Sequence, residues 1–127
     1  MSWGTTIKTK HKSVYIERLN LNSMYDLQEQ IEECNKNIDG CFKRLENLAF
    51  ATPKDIAPRK KSEDGYETPY DFIQDEVRRI REEYDDEIWR LHKLMFAKFI
   101  LEDYEYCYDE KNAVDLNKDW NKIVSNG

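Results

Sequence analysis

The feature that most constrains this chain is a row of apolar residues recurring at alternating steps of three and four. Met24, Leu27, Ile31, Cys34, Ile38, Cys41, Leu45 and Leu48 follow at 3-4-3-4-3-4-3, the a and d pattern of a helix that lays one seam against another helix. Asn22 or Ser23 caps the start, and Asp26, three residues after Ser23, completes a capping-box-like pair. Pro53 ends the run, because proline disfavours helical geometry in the residue before it. A helix over 23–51 is expected. Gly40 falls on a c position facing water, where it costs about 1 kcal/mol of propensity and disturbs no contact.

A second helix opens at Thr68-Pro69-Tyr70-Asp71. Threonine caps, proline takes the first helical position and aspartate the third, three agreeing start signals. The apolar stripe Ile73, Val77, Ile80, Tyr84, Ile88, Leu91, Met95, Phe99 advances by 4-3-4-4-3-4-4, and Val77, Ile88 and Phe99 recur every 11 residues. That period belongs to a nearly straight helix, here over 69–108. Residues 52–68 between the helices form a long polar connection carrying Arg59-Lys60-Lys61.

At 1.5 Å per residue the first helix rises roughly 43 Å and the second roughly 57 Å. Folded back antiparallel, the second overhangs at its C-terminal end, where Leu94 to Leu101 is apolar almost all round and needs cover on more than one side. The segment before Ser23 supplies Val14, Tyr15, Ile16, Leu19 and Leu21 for that purpose, with a second subunit as further cover. Within residues 1–22, Thr5, Thr6, Ile7 and Thr9 favour extended structure. Lys8, Lys10 and Lys12 share one parity with Val14 and Ile16, which calls for a bend or two short strands near residues 11–13. Residues 109–112 read as a turn. The rest of the 109–127 tail is polar, and either docks through Trp120 or stays loose. The fold class expected is mainly α: an antiparallel two-helix coiled-coil-like hairpin with a short N-terminal β segment, in a single domain of 127 residues.

Composition narrows the function. A net charge of −6 argues against a protein that coats nucleic acid by positive charge. No apolar stretch is long enough to span a bilayer, and the first residues lack the apolar core of a signal peptide. Cys34, Cys41 and Cys107 are odd in number and sit among apolar helical positions, as reduced, buried thiols do. Cys34 and Cys41 lie about 10 Å apart along a helix axis, too far for a disulfide.

The acidic run Glu82-Glu83, Asp85-Asp86-Glu87 scatters round a helix rather than converging on a metal, and neither His11 nor His92 follows a glutamate by three residues, as a bundle di-iron site requires. Asp115 to Asp119 imitates the opening of a calcium loop, but Trp120 stands where glycine belongs and Asn126 where glutamate does. No phosphate loop, dinucleotide fingerprint or zinc motif occurs. We expect no enzyme activity, no catalytic residue, no metal and no cofactor. Lys8, Lys10, His11 and Lys12, with Trp3 and Tyr15, form a candidate nucleotide- or phosphate-binding group, against the plainer reading of an edge strand protected by lysines.

The opening Met1-Ser2-Trp3-Gly4-Thr5-Thr6, followed by a capped helical hairpin, resembles small accessory proteins encoded by tailed phages and other viruses. These carry no settled active-site motif, so no functional residue transfers. The resemblance implies a virion component or host-directed factor, in the host cytoplasm or the virion. The function expected is non-enzymatic assembly or scaffolding by self-association, with Phe96, Phe99, Ile100 and Tyr104 at the contact. The alternative is a host-directed, anti-defence inhibitor that mimics nucleic acid through its acids or sequesters a nucleotide signal. The expected partners are therefore a second copy of the chain, or else a host protein or a nucleotide, and no membrane.

Overall fold

Capping residues set both helix starts in the computed structural model, which describes residues 3–9, 11–51, 60–61, 65–66, 68–106 and 115–127, with the backbone alone at 60–61, 65–66 and 104–106. Asp26 N–H donates to Ser23 Oγ at 2.9 Å, and Asp26 Oδ2 accepts from Asn22 N–H at 2.9 Å. Helix α1 (Met24–Phe50) follows. At the other start, Asp71 N–H donates to Thr68 Oγ1 at 3.2 Å, and that hydroxyl donates to Asp71 Oδ2 at 2.8 Å. Helix α2 (Pro69–Tyr106) then begins at its proline. The two long helices pack antiparallel, with a short N-terminal hairpin, as the sequence implies. The Arg59 position, Lys10, Cys107 and the turn at 109–112 lie outside the described residues.

The chain divides into two compact units, Met1–Asn35 with Trp89–Gly127, and Lys36–Ile88. In the first, strands β1 (Gly4–Lys8) and β2 (Ser13–Glu17) form an antiparallel hairpin. Thr9 Oγ1 makes its turn, accepting from Lys12 N–H at 2.9 Å. Two short strands, rather than one bent one, therefore resolve the lysine parity.

Val14 and Ile16 stand opposite Ile7 and Thr5, so they share the core-facing side of the sheet. Tyr15 stands on the other side, opposite Thr6, and its ring crosses Gly4. A Cβ on Gly4 would lie 2.3 Å from the Ile16 carbonyl oxygen, so that approach needs glycine. Of the segment proposed as cover for the apolar end of α2, Ile16, Leu19 and Leu21 are buried. Tyr15 covers Gly4 instead and is exposed.

The tail is part of this sheet. Helix α3 (Trp120–Ile123) leads into strand β5 (Val124–Asn126), which pairs antiparallel with β1 to give the order β2-β1-β5. Leu116, Trp120, Ile123 and Val124 join Ile7, Leu21, Leu27, Ile31, Cys34, Leu94 and Leu101 in one apolar core.

A polar clamp locks the third strand in place. Asn126 Oδ1 accepts Leu21 N–H at 3.1 Å, and Asn126 Nδ2 donates to Leu21 O at 2.8 Å. The fully buried Thr5 hydroxyl sits between Leu19 O at 2.5 Å and Asn126 Oδ1 at 2.7 Å. Asn126→Ala strands both Leu21 backbone groups, so urea unfolding followed by circular dichroism should show a loss of about 1–3 kcal/mol.

In the second unit the α1 and α2 segments meet through buried Cys41 and Ile80, an edge-to-face contact of Phe42 with Tyr84 at 5.6 Å, and the Arg44–Glu83 ion pair. Strands β3 (Lys60–Lys61) and β4 (Gly65–Tyr66) make a two-residue pairing in the connection.

The inward side of α2 differs from the straight 11-residue stripe. Ile80, Leu94 and Leu101 are buried while Met95 and Phe99 are exposed. Ile80, Leu94 and Leu101 belong to a heptad row with Glu87, beside a second row of Val77, Tyr84, Leu91 and Lys98, and Ala97 and Ile100 are buried next to them. Together these rows advance by 3-4-3-4-3-4-3, the period of the α1 seam, so both helices present matched repeats. Glu87 and Lys98 occupy two seam positions with polar residues and conceal the pattern.

Candidate interaction surface

With Leu94 and Leu101 committed inward, a helical turn of 3.6 residues puts a second row on the opposite side of α2 in the first unit. Trp89, His92, Phe96 and Phe99 follow at 3-4-3, with Met95 beside them. Trp89 is 67% exposed, Phe96 49% and Phe99 73%. The Trp89 and His92 rings meet edge to face at 6.1 Å.

Charged neighbours of this row are engaged elsewhere. Arg90 reaches Glu33 at 3.5 Å and Gln30 at 3.4 Å on α1. Lys93 Nζ donates to Glu17 O at 2.9 Å, and Lys98 lies 3.8 Å from Glu102. An apolar row with a polar rim is the form an interaction surface takes.

The residues expected at the contact are divided by the fold. Phe96 and Phe99 stand on the open row, whereas Ile100, 9% exposed, is built into the core of the same chain. The Tyr104 side chain lies outside the described residues. Trp89, His92 and Met95 are additions, concealed because Met95 and Phe99 also continue the 11-residue stripe.

The basic group is not gathered into one pocket. Lys8 and Lys12 flank the hairpin turn with His11, while Trp3 precedes the far end of β1, five residues away at roughly 3.3 Å each. Trp3 O accepts Arg18 N–H at 2.8 Å at that far end, where Arg18 takes a φ of 55°. Tyr15 lies between the two ends, over Gly4. Lys10 is outside the described residues.

Two of the grooves in the second unit are of similar size. One, of about 390 Å³, is lined by Lys36, Gly40, Cys41, Arg44, Glu83 and Glu87 among others. Burial raises the Cys41 thiol above its ordinary pKa, with Glu83 adding to the shift, so the thiolate is disfavoured. The hydrogen bond to Glu83 holds the Arg44 guanidinium in its charged form. The other groove, of about 370 Å³, is lined by Phe42, Leu45, Val77, Arg81, Tyr84 and Asp85.

Among the described residues no three His, Cys, Asp or Glu side chains converge as a metal site, and no helix is long and apolar enough to cross a membrane. No family model, curated protein or solved structure matches this chain.

Proposed function

We propose that this protein works by binding a second copy of itself through the open aromatic row of α2, as an assembly or scaffolding component of the viral kind its opening residues resemble. The observation that carries this reading is the 3-4-3 spacing of Trp89, His92, Phe96 and Phe99 on the side of α2 turned away from a filled core. Such a spacing offers knobs to a partner helix. Aromatic side chains dominate interface energetics when buried.

Trp89 supplies the test. In a Trp3→Phe variant the remaining tryptophans are Trp89, exposed, and Trp120, buried. Raising the protein concentration should shift the emission to shorter wavelength as Trp89 is covered. Phe96→Asp with Phe99→Asp should abolish that shift, weakening association about a hundredfold or more, with the far-ultraviolet circular dichroism unchanged. An emission maximum independent of concentration, or a strict monomer by light scattering at high concentration, removes the proposal.

A further inference from the structure

We infer that the second unit carries its own, separate self-association surface, in which α2 pairs antiparallel with α2 of another copy about a two-fold axis between Arg81 and Glu82. This inference uses Lys36–Ile88 alone and does not depend on the aromatic row.

Within residues 78–87 the charges of α2 reverse sign at that point. Arg78, Arg79 and Arg81 precede it, and Glu82, Glu83, Asp85, Asp86 and Glu87 follow it. Arg78, Arg81, Glu82 and Asp85 stand at i, i+3, i+4 and i+7, which is one face of a helix. That quartet is its own complement. Turned about its midpoint, Arg78 faces Asp85 of the second copy and Arg81 faces Glu82, and the same two pairs recur on the other side of the axis.

Much of the quartet is uncommitted within the chain. Arg44 takes Glu83, and Arg78 pairs with Asp75 at 3.1 Å in an exposed contact. Among the described residues, Arg81, Glu82 and Asp85 make no ion pair.

The apolar complement lies alongside. The groove of Phe42, Leu45, Val77 and Tyr84 has Arg81 and Asp85 on its wall, and Phe42 and Val77 are exposed. An isologous contact presents the same patch from both partners. A two-fold axis perpendicular to the plane of the two helices keeps both grooves on one side of the contact, so each copy extends the apolar floor of the other. The occupant is therefore a second copy of this chain, with opposite charges steering the pairing and fixing its register.

The test removes the aromatic row first, in the full chain carrying Phe96→Asp and Phe99→Asp. This protein should still dimerise at low ionic strength and dissociate progressively with added salt. Adding Arg78→Glu and Arg81→Glu makes the quartet wholly acidic. Adding Glu82→Arg and Asp85→Arg to a separate chain makes it wholly basic. Each should be monomeric by sedimentation, with self-association at least about a hundredfold weaker. Mixed, they should form a one-to-one dimer, because every pair is then opposite in sign. Circular dichroism of each variant confirms that its helices form. A background protein that is already monomeric overturns the inference, as do charge variants that still self-associate or a mixture that fails to pair. These outcomes leave the Trp89 emission test untouched, so the two surfaces are judged separately.

Discussion

Trp120→Ala is expected to remove about 3–5 kcal/mol of stability, the usual cost of truncating a large buried aromatic side chain. Trp120 is 6% exposed and begins α3, the turn that delivers Val124 to β1. Its loss leaves a cavity against Leu116, Ile123 and the α2 residues of the same core, and leaves the short β5 to its pairing with β1 and the Asn126 clamp. Denaturant melts should show the lowered midpoint. Amide exchange should show Thr6 and Ile7, which face Ser125 and Val124, losing protection before the α1 amides do. A midpoint within about 1 kcal/mol of the parent would mean that the tail does not dock through its tryptophan, since surface substitutions span that range.

Two aspartates placed on opposite sides of α2 separate the seam from the open row. Leu94→Asp puts a carboxylate where no solvent reaches and should destabilise by several kcal/mol, enough to unfold the first unit of a marginally stable protein. Phe99→Asp, five residues on, lies where the side chain is 73% exposed and should alter stability by about 0.5 kcal/mol or less while weakening self-association. Were the 11-residue stripe the inward side of α2, the order would be the reverse, with Phe99 inside. Thermal melts of the two variants at a dilution that favours monomer decide between these alternatives.

That reversal marks where sequence reading stops. The α1 seam was legible because every a and d position from Met24 to Leu48 is apolar or cysteine. The starts were legible because Ser23 with Asp26, and Thr68 with Pro69 and Asp71, are local chemistry. The seam of α2 was not, because Glu87 and Lys98 interrupt it and the nearby Met95 and Phe99 offer an equally apolar 11-residue alternative. Choosing between them requires knowing which side of the helix meets α1.

Strand β5 was hidden for a different reason. Val124-Ser125-Asn126 is too short and too polar to read as a strand, and Asn126 becomes structural only beside Leu21 and Thr5. Long-range partners carry no local signal. The same limit applies to the candidate surfaces. Phe96 and Phe99 were identifiable as apolar and in need of cover, while the addition of Trp89 and the transfer of Ile100 to the core depended on the burial pattern. The charge reversal at Arg81 and Glu82 is plain in the sequence, but its four-residue face gains meaning only beside an open apolar groove.

The first unit is assembled from both sides of an excursion in the chain. Ile7, Ile16 and Leu21 leave the ribosome long before Leu94, and longer still before the tryptophan and valine that close over them. Until then a greasy hairpin stands uncovered, with the outer edge of β1 open to any passing strand. The contacts of Phe42 with Tyr84 and of Arg44 with Glu83 join residues within 36–88 and are free to form earlier. Synthesis thus favours the middle of the chain folding ahead of its flanks, and a stall between the two stages would leave a nascent species most prone to aggregate through that unguarded edge.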